Sequence, residues 1–338
     1  MRARRIDILK GILTLQMIFA HCIQFYVDLG RNPAALHISD YINLTTFSGF
    51  LFCFGYASHL AYFSKGWKEA AGRMFKNGLR LLAAFYISSF CYVVFVEKIP
   101  LRLDLALEIL LLQRLAGWSE FLLSFALVLV LAGILFPLYQ EKCKWGLPAM
   151  AALSILTCVL LYPGTDSFSA VVGQGSSASF TGSLVGGIRG AYFPVIPYGI
   201  YFLAGIWFAR KQAGFRKLIF VLACAGTIWH TIDYLWISDG QPSRFPLSLA
   251  FLIGAALFVY LYYLLALILE SRQQMPPVRY LAGVGKNSLF YLLLSNLIIF
   301  AVTASRFYRK EINYSIGLFL VILLVTGYLQ GLCKGRRG

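Results

Sequence analysis

A lysine and a histidine mark the first apolar segment of the chain as a place where chemistry can occur. Lys10 precedes His21 by eleven positions, so an α-helix would place both on one face, roughly 16 Å apart along its axis. Imidazole titrates near neutral pH and is the most common general base in enzymes. Because ionisable groups are costly in lipid, His21 indicates either a site on a cavity or a histidine held by hydrogen bonds between helices.

Polar residues continue along the same predicted helical face. Seven residues come close to two helical turns, so steps of three and four residues connect a single stripe: Asp7, Lys10, Thr14, Met17, His21, Gln24 and Asp28. Every member except Met17 is polar, whereas most other positions of the segment are apolar. We therefore expect the stripe to line a pathway, with His21 as the catalytic residue and Asp7 and Thr14 in support.

A group of basic residues follows between residues 64 and 80. Arg73, Lys76 and Arg80 are spaced by three and four, so a helix would present them on one face. Guanidinium groups bind phosphate through paired hydrogen bonds, and together with Lys10 these residues are candidates for holding the phosphates of a cofactor. The alternative is a helix at the membrane surface that contacts anionic lipid.

Two further pairs of polar residues lie near the predicted membrane segments. His230 and Asp233 are three residues apart, and a carboxylate beside an imidazole orients the ring and raises its basicity. This pair is the competing candidate for the base, or else a hydrogen-bonded pair at the membrane interface. Arg114 and Glu120 flank Trp118, and we expect them to pair with each other or with the polar stripe of the first helix.

The composition predicts an all-α, polytopic membrane protein with one domain over residues 1–338. Of the 338 residues 59% are hydrophobic and only 13% are charged, which is typical of a chain buried in a bilayer. The net charge of +16 fits the excess of basic residues in cytoplasmic loops better than a nucleic-acid partner. The seven cysteines are scattered singly, so neither a disulfide framework nor a metal site is expected.

About ten membrane spans account for the apolar segments, with both termini in the cytoplasm, because this arrangement places most basic residues inside. Residues 101–113 are apolar but short and charged, and we expect a partial or interfacial helix there. Residues 164–191 are rich in glycine and serine and predict a flexible outer loop or a lid. The predicted spans are roughly 6–28, 43–63, 79–97, 119–139, 146–163, 192–209, 218–237, 246–269, 283–304 and 314–333.

The opening residues also resemble those of a known family. The motif Arg5-x-Asp7-x-Leu9-Lys10-Gly11, followed by His21, is similar to the first motif of the acyltransferase-3 family. Members of that family are polytopic membrane proteins that move acyl groups, usually acetyl, onto cell-envelope sugars. Weaker likenesses to the family lie at residues 50–59, 76–82 and 285–291.

This resemblance implies an O-acyltransferase of the bacterial cytoplasmic membrane. Acetyl-CoA would bind on the cytoplasmic side at Lys10, Arg73, Lys76 and Arg80, and a hydroxyl of an extracytoplasmic glycan or glycolipid would accept the acyl group. His21 would act as general base or carry the acyl group covalently, and no metal is needed.

Two other functions are compatible with the same residues. A proton-coupled transporter or flippase of a small solute or lipid-linked sugar would use Lys10, His21 and Asp233 as a proton relay. Against a transporter, the sequence lacks the repeated halves with paired broken helices that are common in such proteins. A membrane-anchored binding partner without catalytic activity is the third interpretation.

Overall fold

The computed structural model describes residues 3–160, 183–184, 192–238, 240, 244 and 247–335, and every regular element within these ranges is helical. The first half contains α1 (Arg4–Tyr26), α2 (Pro33–Ser58), α3 (Trp67–Phe95), α4 (Leu103–Leu110), α5 (Glu120–Ile134) and α6 (Gly146–Leu160). The second half contains α7 (Val195–Lys211), α8 (Lys217–Ile232), α9 (Leu249–Gly254), α10 (Ala256–Ser271), α11 (Pro276–Lys286), α12 (Ser288–Ala304) and α13 (Ile312–Gly335).

Among the described residues, five helical segments are long and apolar enough to cross a membrane. They are Arg4–Tyr26, Trp67–Phe95, Lys217–Ile237, Leu249–Ser271 and Ile312–Leu332. A sixth span is possible if α11 and α12, which meet at 80°, count as one broken span. The all-helical membrane architecture is thus confirmed. A helix lies at each of the ten predicted segments, but ten crossings and cytoplasmic termini stay predictions.

Helix α1 is the most buried of the five candidate spans and packs against α2, α10, α11, α12 and α13. It is fastened at both ends. Near its start, Arg5 Nε lies 2.9 Å from Glu270 Oε2. At its end, the Tyr26 hydroxyl donates to the Ile299 carbonyl at 2.6 Å. The polar stripe therefore belongs to a central helix that neighbouring helices hold in place.

Glycines let the backbones of crossing helices touch around α1. A Cβ atom at Gly285 would lie 1.7 Å from the Asp7 carbonyl oxygen, and one at Gly11 would lie 2.1 Å from the Leu281 carbonyl oxygen. These contacts seat α11 directly on the first half of α1. The crossing of α2 and α7 uses Gly55 in the same way, as expected for a glycine in a membrane span.

Two predicted connections differ from simple loops. The basic segment 64–80, between the predicted spans 43–63 and 79–97, is mostly helical, because α3 begins at Trp67 and continues to Phe95. Residues 101–113 form the short helix α4, which ends in a turn where Leu112 has a left-handed φ of 57°, so the segment is a partial helix as predicted. The predicted lid, residues 164–191, lies outside the described residues except for 183–184.

The seating of α11 on α1 can be tested with one methyl group. Gly285→Ala should destabilise the protein by about 1–3 kcal/mol or more, because the new Cβ overlaps the Asp7 backbone and the helices must separate. Gly283→Ala is the matched control on the same helix, since a Cβ there meets nothing within 4 Å. The measurement is the thermal midpoint in detergent, and equal midpoints for the two variants would contradict the crossing.

Candidate active site

A cavity of about 840 Å³ opens beside the C-terminal half of α1. From α1 it is lined by Met17, His21 and Gln24. Charged groups on other elements also line it, namely Glu97, Glu108, Arg114 and Arg244, together with the aromatic rings of Phe47, Tyr92, Trp118, Phe121, Tyr192 and Phe193. The cavity therefore offers aromatic faces, both signs of charge and one imidazole in a single space.

The His21 ring is fixed by one hydrogen bond and one aromatic contact. Its Nδ1 lies 2.8 Å from Asn296 Oδ1, and since a carbonyl oxygen only accepts, we assign the proton to Nδ1. Trp118 meets the ring edge-to-face, with centroids 5.2 Å apart. The ring is only 8% exposed but lines the cavity, so Nε2 is the nitrogen left to accept a proton there.

Asn296 is a site residue that the sequence analysis missed. It lies on α12, 275 residues from its partner, and is 1% exposed. The available signal was an amide within an otherwise apolar helix, because a buried amide is costly unless it is hydrogen bonded. Position alone did not reveal which residue it would meet.

Arg244 is the second residue that the sequence analysis missed. Its guanidinium carbon lies 5.1 Å from the Phe193 ring centroid, within cation–π distance. Burial lowers the pKa of Arg244, but a guanidinium stays charged in proteins. Arg244 therefore places a positive charge in the wall of the His21 cavity.

Arg114 lines this cavity with His21 but does not pair with Glu120, so the first of the two pairings predicted for it is wrong. Arg114 Nη2 lies 2.6 Å from Glu97 Oε2, because the chain turns back after α4 and brings the end of α3 beside Arg114. Glu120 is fully buried, and its Oε1 accepts the backbone N–H of Phe193 at 3.1 Å. Glu120 thus holds the cavity wall instead of lining the cavity. Burial, together with the nearby Glu120, raises the pKa of Tyr192 in that wall.

A second cavity, of about 370 Å³, lies beside the N-terminal half of α1. Asp7, Lys10, Lys65 and Arg73 line it. Arg73 Nη2 lies 3.2 Å from Glu69 Oε1, and the same carboxylate pairs with Lys65. The structure therefore brings Lys10 and Arg73, two of the four residues predicted to bind the cofactor, to one cavity.

Lys76 and Arg80 do not line that cavity. Both are exposed on α3, and Arg80 Nη1 contacts Asn77 Oδ1 at 3.4 Å. Two turns of helix carry Arg80 roughly 10 Å along α3 from Arg73, so one helical face does not bring all three cations to α1. Of the four predicted cations, Lys10 and Arg73 therefore share a cavity, whereas Lys76 and Arg80 lie outside it.

The polar stripe of α1 is not a continuous path. The Thr14 hydroxyl donates to the Lys10 carbonyl at 2.7 Å, so the helix itself satisfies it. Leu13 packs on Gly49, and both Leu13 and Thr14 are fully buried and line neither cavity. Thr14 therefore belongs to a partition between the two cavities, and the structure does not place it at the His21 cavity, where a supporting role was predicted.

His230 and Asp233 lie away from both cavities. The His230 ring packs on Gly254 and meets Phe251 edge-to-face, with centroids 5.6 Å apart. Its Nδ1 has no hydrogen-bond partner among the described residues. A base needs access to substrate, so this geometry favours His21. Within the described ranges, no group of three His, Cys, Asp or Glu side chains is placed to hold a metal ion.

The tautomer of His21 tests the site geometry. Asn296→Leu removes the acceptor, so the proton should shift from Nδ1 toward Nε2 at a pH where the ring is neutral. We expect ¹⁵N-histidine NMR of the detergent-solubilised protein to show the Nδ1-protonated form in the unmodified chain, assigned by difference from His21→Gln. Asn43→Leu is the control, because Asn43 lines the same cavity but bonds to Gln24. An unchanged tautomer in Asn296→Leu would contradict the assignment.

Comparison with known proteins gives one match. The family model described as heparan-alpha-glucosaminide N-acetyltransferase, catalytic, matches residues 2–228. The matched range includes α1 through α7 and most of α8, and Arg244 and Asn296 lie beyond it. No curated protein and no solved structure matches the chain.

This match overturns the predicted membership of the acyltransferase-3 family. The spacing between Lys10 and His21 places both residues on one face of α1, where each lines a cavity. Such a spacing does not distinguish one membrane acyl-transfer family from another. The match supports acetyl transfer, but it gives no support to the O-acyltransferase specificity, because the matched family is one of N-acetyltransferases.

Proposed function

The chain belongs to the heparan-alpha-glucosaminide N-acetyltransferase catalytic family, and we propose that it transfers acetyl from acetyl-CoA to the amine of a glucosamine-containing glycan. Family membership and the apolar helices support a membrane acetyltransferase. The observation that carries the proposal is His21, held at Nδ1 by Asn296 and lining a cavity of about 840 Å³.

In this proposal His21 is the general base. The acceptor nitrogen attacks the thioester carbon, a C–N bond forms, and the C–S bond to the coenzyme breaks. His21 Nε2 accepts the proton that the nitrogen loses and passes it to the departing thiolate sulfur. Asn296 keeps Nε2 unprotonated and oriented by accepting from Nδ1. General base catalysis of this kind is typically worth ~10²–10⁴-fold in rate.

The large cavity is the proposed acceptor site. Its volume of about 840 Å³ lies within the ~300–1,000 Å³ typical of ligand pockets. Aromatic rings such as Trp118 suit the apolar faces of sugar rings. Polar groups such as Glu108 and Arg244 suit the hydroxyl, amine or acidic groups of a glycan.

The smaller cavity is the proposed donor site. Three cationic side chains line it beside Asp7, namely Lys10, Lys65 and Arg73. A coenzyme A phosphate would take the place of the exposed Glu69 carboxylate as the partner of Lys65 and Arg73. Lys10 and His21 are roughly 16 Å apart along α1, and the pantetheine arm carries the thioester well away from the phosphates. The thioester of the bound coenzyme reaches His21 only if the side chains around Leu13 and Thr14 move apart and join the two cavities. With a cytoplasmic N-terminus, donor and acceptor approach from opposite sides.

Replacing each candidate histidine separates the two proposed bases. His21→Ala should lower N-acetylation of a soluble α-glucosaminide by at least ~10²-fold, because the base is lost. His230→Ala is the control and should retain activity within a few-fold in correctly inserted protein. Loss with His230→Ala and retention with His21→Ala would move the site to α8. Label left on the unmodified protein by ¹⁴C-acetyl-CoA without acceptor, and missing from His21→Ala, would show that His21 carries the acetyl group covalently.

The donor site is tested by two arginines on one helix. Arg73→Gln should raise KM for acetyl-CoA by about tenfold with little change in kcat, because a hydrogen bond to a charged group is worth ~1.5–3 kcal/mol. Arg80→Gln removes the same charge outside the cavity and should change KM less than twofold. A larger effect at Arg80 would place the phosphates along the exposed face of α3.

A further inference from the structure

A third cavity, of about 490 Å³, lies between α7, α8, α9 and α10. Its lining is almost wholly apolar and includes Ala204, Phe208, Leu222, Ala223 and Trp229. No lining residue is shared with the His21 cavity or the Lys10 cavity. The groove runs along α8 from Ile219 to Trp229, roughly 15 Å of helix. It is therefore a separate elongated apolar space.

One end of this groove meets a cluster of cations. The hydroxyl of Tyr260, which lines the groove, accepts the backbone N–H of Arg216 at 2.7 Å. The Arg216 guanidinium carbon lies 5.6 Å from the Trp207 ring centroid, and Lys217 follows it at the start of α8. The turn is tight because Gln212 closes α7 with a left-handed φ of 43°. Lys211 adds a further positive charge at the end of α7, whereas the Arg210 guanidinium donates to the Tyr139 carbonyl outside the groove.

The surroundings of the groove are those of a helix that faces lipid. The candidate span Lys217–Ile237 is largely unburied by protein. Phe215 and Leu218, which flank the two cations, are 63% and 70% exposed. Large apolar side chains beside Arg and Lys are typical of a segment at the boundary between headgroups and acyl chains. The groove thus lies beside a helix that faces lipid, so a lipid molecule of the bilayer can enter it.

We propose that this groove binds an anionic phospholipid, with an acyl chain along α8 and the phosphate at Arg216 and Lys217. The apolar lining excludes a polar solute, because such a ligand would lose its hydrogen bonds on entry. The cation pair Arg216 and Lys217 at one end favours a lipid whose headgroup carries a negative charge. The site is independent of the proposed acetyl transfer, so either proposal can fail without the other.

Native mass spectrometry of the detergent-purified full-length protein tests the proposal. Phosphatidylglycerol and phosphatidylcholine with identical chains are the probes. We expect a phosphatidylglycerol adduct with at least tenfold higher occupancy than phosphatidylcholine. Arg216→Gln with Lys217→Gln should lower it about tenfold, whereas Lys142→Gln with Lys144→Gln, which alters a basic pair away from the groove, should leave it unchanged. Equal binding of the two lipids, or equal loss in both double variants, would overturn the proposal.

Filling the groove is the second test. Ala204→Phe places a ring among the lining side chains and should displace the acyl chain. Ala301→Phe, which adds the same ring at an exposed position of α12, is the control and should leave lipid binding unchanged. Should either variant fail to fold, phosphatidylglycerol with a photoreactive acyl chain is used on the unmodified protein. Cross-links concentrated on the α7, α8 and α10 peptides support the site. Cross-links spread equally over exposed helices such as α13 overturn it.

Discussion

The hydrogen bond between His21 and Asn296 is the interaction on which the proposed chemistry depends. An imidazole among apolar helices is tolerated when one nitrogen is satisfied by protein and the other faces a cavity that can hold polar groups. Asn296 provides the first condition and the Trp118-lined cavity the second. The bond also sets the tautomer, so a single contact supplies both the stability of the buried ring and the lone pair that a base requires.

That contact requires two distant helices to hold a fixed register. His21 lies on α1 and Asn296 on α12, and α12 meets α11 at 80°. Since α11 is seated on α1 through the backbone contacts at Gly11 and Gly285, the bend carries α12 back along the same helix. The far end of α1 is then fixed by the Tyr26 hydroxyl on the Ile299 carbonyl. The glycine crossing at one end of α1 thus helps to position the acceptor of His21 near the other.

The local sequence pattern predicts which residues share a face of one helix. It does not predict contacts between segments that are far apart in sequence. The period of α1 was enough to single out Lys10 and His21, because residues on one face of a helix stay together wherever the helix packs. Asn296 and Arg244 could not be predicted, since nothing near them in sequence specifies a contact with His21, 275 residues away, or with Phe193. The expectation that Arg114 pairs with Glu120 rests on their closeness in sequence, whereas the return of the chain after α4 brings Glu97 to Arg114. The apolar composition was enough to predict the helices. The spacing between Lys10 and His21 was not enough to predict the family.

The division of the α1 stripe explains how one helix can serve two polar sites without opening a channel. A continuous row of polar side chains would admit water along α1. Thr14 instead donates its hydrogen bond to the Lys10 carbonyl, and Leu13 fills the space against Gly49, so one turn of the helix is buried and lines neither cavity. The charged side chain of Lys10 therefore lines one cavity, and the titratable ring of His21 lines the other. In the proposed reaction the uncharged thioester arm is the part of the donor that must cross this turn, and an apolar partition opposes it far less than it opposes the phosphates or free ions.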